Sequence, residues 1–276
     1  MDLHDYQDVA ENYDLYITGL MQNQPTLCDN FLEFHLELAA NHGADGILDL
    51  ACGTGALSLP LAEQGHRVYA VDLSPAMLDV LQQKIAHSSK PLADKISLIP
   101  ANMTTFSIPV QVTLALIARS GFLHLTTTED QIKTLVNINR HLQPGGLLCF
   151  NNFDPAYAFI AGNCDPEQST PHLQVEYTNT RGNREKVYNQ IWFNLARQLI
   201  EGYWIFEEMD QETGRSTQRK RPVTLRWTFR SEIELLARLC GFEIINLYGG
   251  YDKSEPKTGG NLVWVLQKHS APLVTG

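Results

Sequence analysis

The chain has 276 residues, 43% of them hydrophobic, with a formal net charge of −10 and a pI of about 5.3. That composition supports a full-size core and excludes a disordered chain, and the length suits one α/β domain with at most an embedded cap. The acidic balance and the lack of any lysine–arginine run argue against nucleic acid as a partner. No apolar run reaches membrane length, and MDLHDYQDVAENYD does not read as a secretory signal.

In chain order, Leu27, Phe31, Phe34 and Leu38 share one face of a predicted helix over 27–40, stopped by Asn41-His42-Gly43. A short buried strand, Gly46 to Leu50, leads into a glycine turn and a helix over 56–63. The next strand, His66 to Val71, ends at Asp72, and Ser74-Pro75 caps a helix PAMLDVLQQKIA. Strands follow at 96–99, 113–118 and 147–150, with a helix over 129–142 closed by Pro144-Gly145-Gly146. This alternation predicts a parallel sheet with right-handed crossovers. From His172 to Phe229 the pattern turns to polar–apolar alternation with a hairpin tip at Glu212 to Arg215, an antiparallel insertion. A helix from Ser231 to Cys240 and the strands FEIINLYG and NLVWVLQ complete the chain. The five cysteines, Cys28, Cys52, Cys149, Cys164 and Cys240, are scattered and form no CxxC. They predict the reduced thiols of a cytoplasmic protein, with neither a disulfide framework nor a zinc site.

The stretch ILDLACGTG, Ile47 to Gly55, followed by a strand ending in an acid fits a nucleoside-binding crevice above the strand ends. Asp72 stands near the interval expected of a ribose-binding carboxylate. The phosphate fingerprint GxGxxG is absent, because the turn opens on Ala51 and Ser58 occupies the third glycine position; the P-loop pattern is absent too. A pyrophosphate wants cationic or amide surroundings, and Asp49 and Glu63 are acids. An adenosine bearing an amino acid fits better, since Asp49 suits an ammonium.

ILDLACGTG, the acid in VYAVDLS, SPAMLDVLQQK, and HLQPGGLL before a strand together resemble the class I S-adenosylmethionine-dependent methyltransferases, over roughly residues 6–153. LARLCGFEIINLYGGY and NLVWVLQK resemble that fold's last helix and reversed strand. The resemblance implies a doubly wound, Rossmann-like α/β fold: a seven-stranded, mostly parallel sheet with a reversed last strand. It also implies S-adenosyl-L-methionine as cofactor and S-adenosyl-L-homocysteine as product. Residues 43–155 and 230–268 are expected to form this core, 1–42 a helical lid, and 156–229 the antiparallel cap.

Carried over residue by residue, the resemblance places Asp49, Gly53 and Gly55 at the methionine end of the cofactor, with Ala51 and Ala118 in the same set. Asp72 accepts both ribose hydroxyls, and Leu73 and Met77 flank the adenine. Ala101-Asn102-Met103 stands where many relatives hold an aspartate to the adenine amino group; Asn102 can accept that bond through its carbonyl oxygen. The segment Tyr6 to Tyr16 resembles one that closes over the sulfonium in small-molecule members, with Tyr13 the candidate cofactor contact and catalytic residue. The alternative is an amphipathic helix that only packs its tyrosines. The loop Ala118 to Leu125 is expected beside the transferred methyl, where His124 is either a general base or a packed, hydrogen-bonded residue. Tyr16, Arg119, Phe122 and Trp204 are the candidate substrate residues. No metal is expected, since Asp154 has no ligand partners at coordinating spacing.

In the cap, Tyr203 and Ile205 fall on one face and Trp204 and Phe206 on the other. One face packs on the domain; the other lines an acceptor pocket or a homodimer contact. The expected reaction is in-line methyl transfer to N or O of a small molecule. The alternatives are a macromolecular methyltransferase, which the acidic surface and the lack of an NPPY-like segment disfavour, and a non-catalytic cofactor-binding protein.

Overall fold

The computed structural model describes residues 6, 7, 9–23 and 30–274. Apolar runs bounded by glycine or polar turns become the strands β1 (Ile47–Leu50), β2 (Val68–Asp72), β3 (Ile96–Pro100), β4 (Val112–Ile117) and β5 (Leu142–Asp154). These five pair in parallel. The seven-stranded sheet is completed at one edge by two strands that follow later in the chain, Phe242–Tyr248 and Gly260–Lys268; the latter runs antiparallel to both β5 and the former. It is a mostly parallel sheet with a reversed last strand.

Helices cover both faces. Against one lie α2 (Phe31–His42), α3 (Ser58–Glu63) and α4 (Pro75–His87); against the other lie α5 (Thr128–His141) and the helix Arg230–Leu239. Side chains alternate accordingly: Ile47 joins the first core, while Leu48 and Leu50 join the second. Burial on both faces is why β1 reads as a continuous apolar run rather than an alternating one. Ser74 caps α4 by accepting the Met77 N–H, and Thr127 caps α5 by accepting the Asp130 N–H at 3.1 Å.

A separate four-stranded antiparallel meander comprises β6 (His172–Thr178), β7 (Arg184–Asn194), β8 (Leu199–Met209) and β9 (Ser216–Arg226). The tip between β8 and β9 is held by Asp210, whose carboxylate accepts the Glu212 and Thr213 N–H groups. Helix α1 (Tyr13–Asn23) packs on β6 so closely that a Cβ at Gly19 would meet Val175 at 2.5 Å. Asn12 accepts the Thr180 N–H at 2.9 Å, and Asp14 accepts the Thr54 hydroxyl at 2.7 Å and pairs with Lys84. The N-terminal segment is thus stitched to the meander on one side and to the glycine turn on the other.

Three boundaries differ from the sequence expectation. Leu27 lies outside the described residues, and α2 starts at Phe31. Pro144-Gly145-Gly146 does not separate α5 from the next strand: it lies within β5, which starts at Leu142 and pairs with β4 across a register shift. A short helix, α6 (Tyr157–Ala161), bridges β5 and the meander.

Candidate active site

The carboxyl ends of β1, β2 and β4 surround a cavity of about 200 Å³. Its walls include Tyr13, Asp49, Ala51, Gly53, Asp72, Leu73, Met77, Asn102, Met103, Ala118, Arg119 and His124. The glycine turn, the acid ending β2 and the loop after β4 therefore converge on one space, as the topology of an open α/β sheet directs.

Asp72 is oriented by backbone donors: one oxygen accepts the Gly53 N–H and the other the Ser74 N–H, both at 2.8 Å. Burial raises its pKa, and these same donors oppose the rise. With four lone-pair sites in all, the carboxylate retains acceptor capacity for a hydroxyl. Gly53 sits at φ +55° with open space where a Cβ would stand, so a bound molecule can approach the backbone there.

Asp49 is buried and accepts the Ser58 hydroxyl at 2.6 Å. Burial pushes its pKa up to about 7. Of the six non-glycine residues at positive φ among the described residues, Ala51 at 53° and Arg119 at 49° line this cavity, and Ser120 at 62° follows Arg119 in the chain. The Arg119–Ser120 turn is held by Asn151, which accepts the Ser120 N–H at 2.9 Å and donates to its hydroxyl at 3.0 Å. Left-handed conformations of this kind persist where the surroundings hold them, commonly at functional sites.

Tyr13 is half-buried, and desolvation raises its hydroxyl pKa, so the hydroxyl stays protonated at neutral pH. It can donate a hydrogen bond but not act as a phenolate. His124 closes the turn Gly121–His124, with Nε2 3.4 Å from the Tyr6 hydroxyl. Tyr6 in turn lies edge-on to Tyr13, beneath the Arg221 guanidinium 4.0 Å from its ring centre.

A second cavity, of about 440 Å³, adjoins the first and shares Tyr13, Phe31 and Arg119 with it. Its roof is the meander face bearing Ile191, Ile200, Trp204, Val223 and Leu225, and α1 supplies Ile17, Leu20 and Met21. The face carrying Trp204 and Phe206 is thus turned inward, while Tyr203 on the other is partly exposed.

Four sequence expectations need correction. Phe122 is fully buried, its ring 4.7 Å from that of Phe150 in the sheet core, and cannot reach a substrate. Gly55 does not line the cavity; it sits at φ +90°, and a Cβ there would meet Leu81 at 2.3 Å, so it serves packing. Tyr16 packs with Tyr177 and Phe206 outside both large cavities. The Asn102 carbonyl oxygen already accepts the Thr104 N–H and hydroxyl, each at 2.9 Å, and is committed to its own turn. Residues that the sequence did not assign to the site include Phe31, propped by His35, and Tyr251, which packs on both. Burial lowers the His35 pKa to about 4; the neutral ring donates from Nδ1 to the Phe31 carbonyl at 2.7 Å.

Residues 47–146 match the family model described as "Methyltransferase domain". Over these residues the chain carries a methyltransferase domain of the S-adenosylmethionine-dependent kind. Cypemycin N-terminal methyltransferase of Streptomyces sp. is 28% identical over 212 residues, covering 77% of this chain and 78% of that protein. The CcbJ methyltransferase from Streptomyces caelestis shares the fold with a TM-score of 0.72 at 23% identity, covering 86% of this chain and 94% of that one. CalS10, an amino pentose methyltransferase from Micromonospora echinaspora solved with S-adenosylmethionine bound, gives a TM-score of 0.65 at 18% identity, covering 93% and 96%.

The cofactor of this methyltransferase domain is S-adenosylmethionine, and the cavity suits it. Asp72 presents a carboxylate pre-oriented by backbone donors, the backbone at Gly53 is open to close approach, and Leu73 and Met77 are apolar walls. Among the described residues no group of three histidine, cysteine or acidic side chains could hold a metal ion. No helix among them is long and apolar enough to cross a membrane.

Proposed function

We propose that this methyltransferase acts on a small molecule and transfers the methyl group to an amine nitrogen. The observation that carries the reading is the second cavity, which opens beside the first at Tyr13, Phe31 and Arg119 and is roofed by the meander. A half-open cavity of about 440 Å³ beneath the meander suits a metabolite-sized acceptor better than a folded macromolecule. Asp49, Ala51, Gly53, Asp72, Leu73, Met77 and Ala118 would hold the cofactor, and residues 156–229 would serve as the acceptor's cap.

When bound, S-adenosylmethionine supplies a methyl group already activated on a sulfonium. What remains for the chain is alignment and exclusion of water. Tyr13 contributes a protonated hydroxyl and a ring at the junction of the two cavities, and the N-terminal segment closes the space from above. An amine must shed one proton before attack, and His124, at the wall of the first cavity, is the candidate to receive it. No carboxylate lines the second cavity among the described residues. A weakly acidic alcohol, which needs a strong base, is therefore the poorer acceptor. The similarity to a protein named as an N-terminal methyltransferase supports the choice of nitrogen.

The test is turnover of S-adenosylmethionine with matched panels of primary amines and alcohols, followed by mass spectrometry. N-methyl products from the amine panel support the reading. Methylation of the alcohols alone, or of tRNA or protein in place of both panels, would overturn it.

A further inference from the structure

We propose that Arg119 binds a carboxylate on the methyl acceptor, so that the substrates are amphipathic amino acids or related amino carboxylates. This rests on the reading of the second cavity as the acceptor site.

Three observations converge. Arg119 is the one charged side chain among the described residues lining that cavity; the rest are apolar, aromatic or neutral polar, including Asn151, Asn189 and Asn261. Its Nε is buried and has no hydrogen-bond partner among the described residues. Nor does any described acid pair with its guanidinium, which meets two soft groups: the Phe31 ring with its centre at 4.9 Å, and the Met21 sulfur 3.9 Å from Nη2. A buried guanidinium N–H left without a partner is costly unless something anionic completes it. The cost is maintained by construction, because Asn151 fixes the left-handed turn that aims this side chain.

The planar fork of a guanidinium matches a carboxylate in two parallel hydrogen bonds. One positive charge in an apolar chamber matches one negative charge, which favours a carboxylate over a phosphate dianion. The cofactor also carries a carboxylate, and Arg119 and Phe31 border both cavities, but Met21, against which the guanidinium lies, lines the second and not the first. The anion is therefore assigned to the acceptor, with its apolar body under Trp204 and its amine toward Tyr13.

The experiment titrates S-adenosylhomocysteine-saturated protein with L-phenylalanine and L-leucine and with their carboxamides, by calorimetry. Free acids should bind about tenfold or more tightly than the amides. Arg119→Met keeps an unbranched apolar stem against Phe31, removes the orphaned N–H, and should erase that preference without lowering Tm. Arg119→Lys should retain part of it. Equal binding of acids and amides, or binding of neither, overturns the proposal. So does a loss of affinity in Arg119→Met for S-adenosylhomocysteine but not for 5′-methylthioadenosine, which would give the arginine to the cofactor's carboxylate. Failure of the unaltered protein to bind S-adenosylhomocysteine would instead overturn the reading on which the proposal rests.

Discussion

The Asp72 carboxylate accepts the Gly53 N–H across 2.8 Å, tying the acid that closes β2 to the glycine turn that follows β1. The tie fixes the rotamer of the acid before any ligand arrives and sets the turn's backbone against the cavity. Two glycines of one short motif thereby have different duties, and the difference can be measured.

Gly53→Ala places a methyl in open space at φ +55°, where the left-handed conformation costs about 1–2 kcal/mol. It should fold and lose affinity for S-adenosylhomocysteine, since the methyl occupies the approach to the backbone. Gly55→Ala drives its methyl to 2.3 Å from Leu81 at φ +90° and should mainly lower Tm. Thermal melts and calorimetry on both variants separate the effects; equal loss of stability and of affinity in the two would contradict the assignment.

Much of this architecture was legible in sequence because its signals are local. Ser74-Pro75 caps α4, Asp72 ends β2, and the glycine turn needs only its own residues to be recognised. What was not legible depends on distant partners. Phe122 shares a loop with His124 and Arg119, but the turn held by Asn151 rotates its ring into the core against Phe150. Asn102 lost its expected role to a threonine two positions on, and Phe31 reached the cavity through packing with His35 and Tyr251. No pattern within a single segment reports those outcomes.

Tyr13 joins both cavities, and its hydroxyl is held protonated by burial. If the ring shapes the junction, Tyr13→Phe should keep most turnover while Tyr13→Ala loses on the order of tenfold, about 1.4 kcal/mol. Equal failure of both variants would move the role to the hydroxyl. Normal turnover of Tyr13→Ala at saturating cofactor, well below its Tm, would show that the residue only packs.

Asp49 supplies a pH signature. Its folded pKa of about 7 lies above the ordinary carboxylate value because the group is buried. Between those two values the unfolded chain is ionised while the folded one keeps its proton, so stability falls as pH rises through this window and levels off above about 7. Asp49→Asn retains an acceptor for the Ser58 hydroxyl and removes the penalty. Its Tm relative to the parent should rise more at pH near 8 than at pH near 5. A difference independent of pH would mean that Asp49 stays ionised in the folded protein.

The most direct measurement is calorimetric titration of S-adenosylhomocysteine into the parent protein and into Asp72→Ala. The parent should bind one equivalent. The variant should remain folded and bind at least about a hundredfold more weakly, since two hydrogen bonds to a charged acceptor, worth on the order of 1.5–3 kcal/mol each, are removed. Undiminished affinity in folded Asp72→Ala would contradict the placement of the cofactor at the ends of β1 and β2.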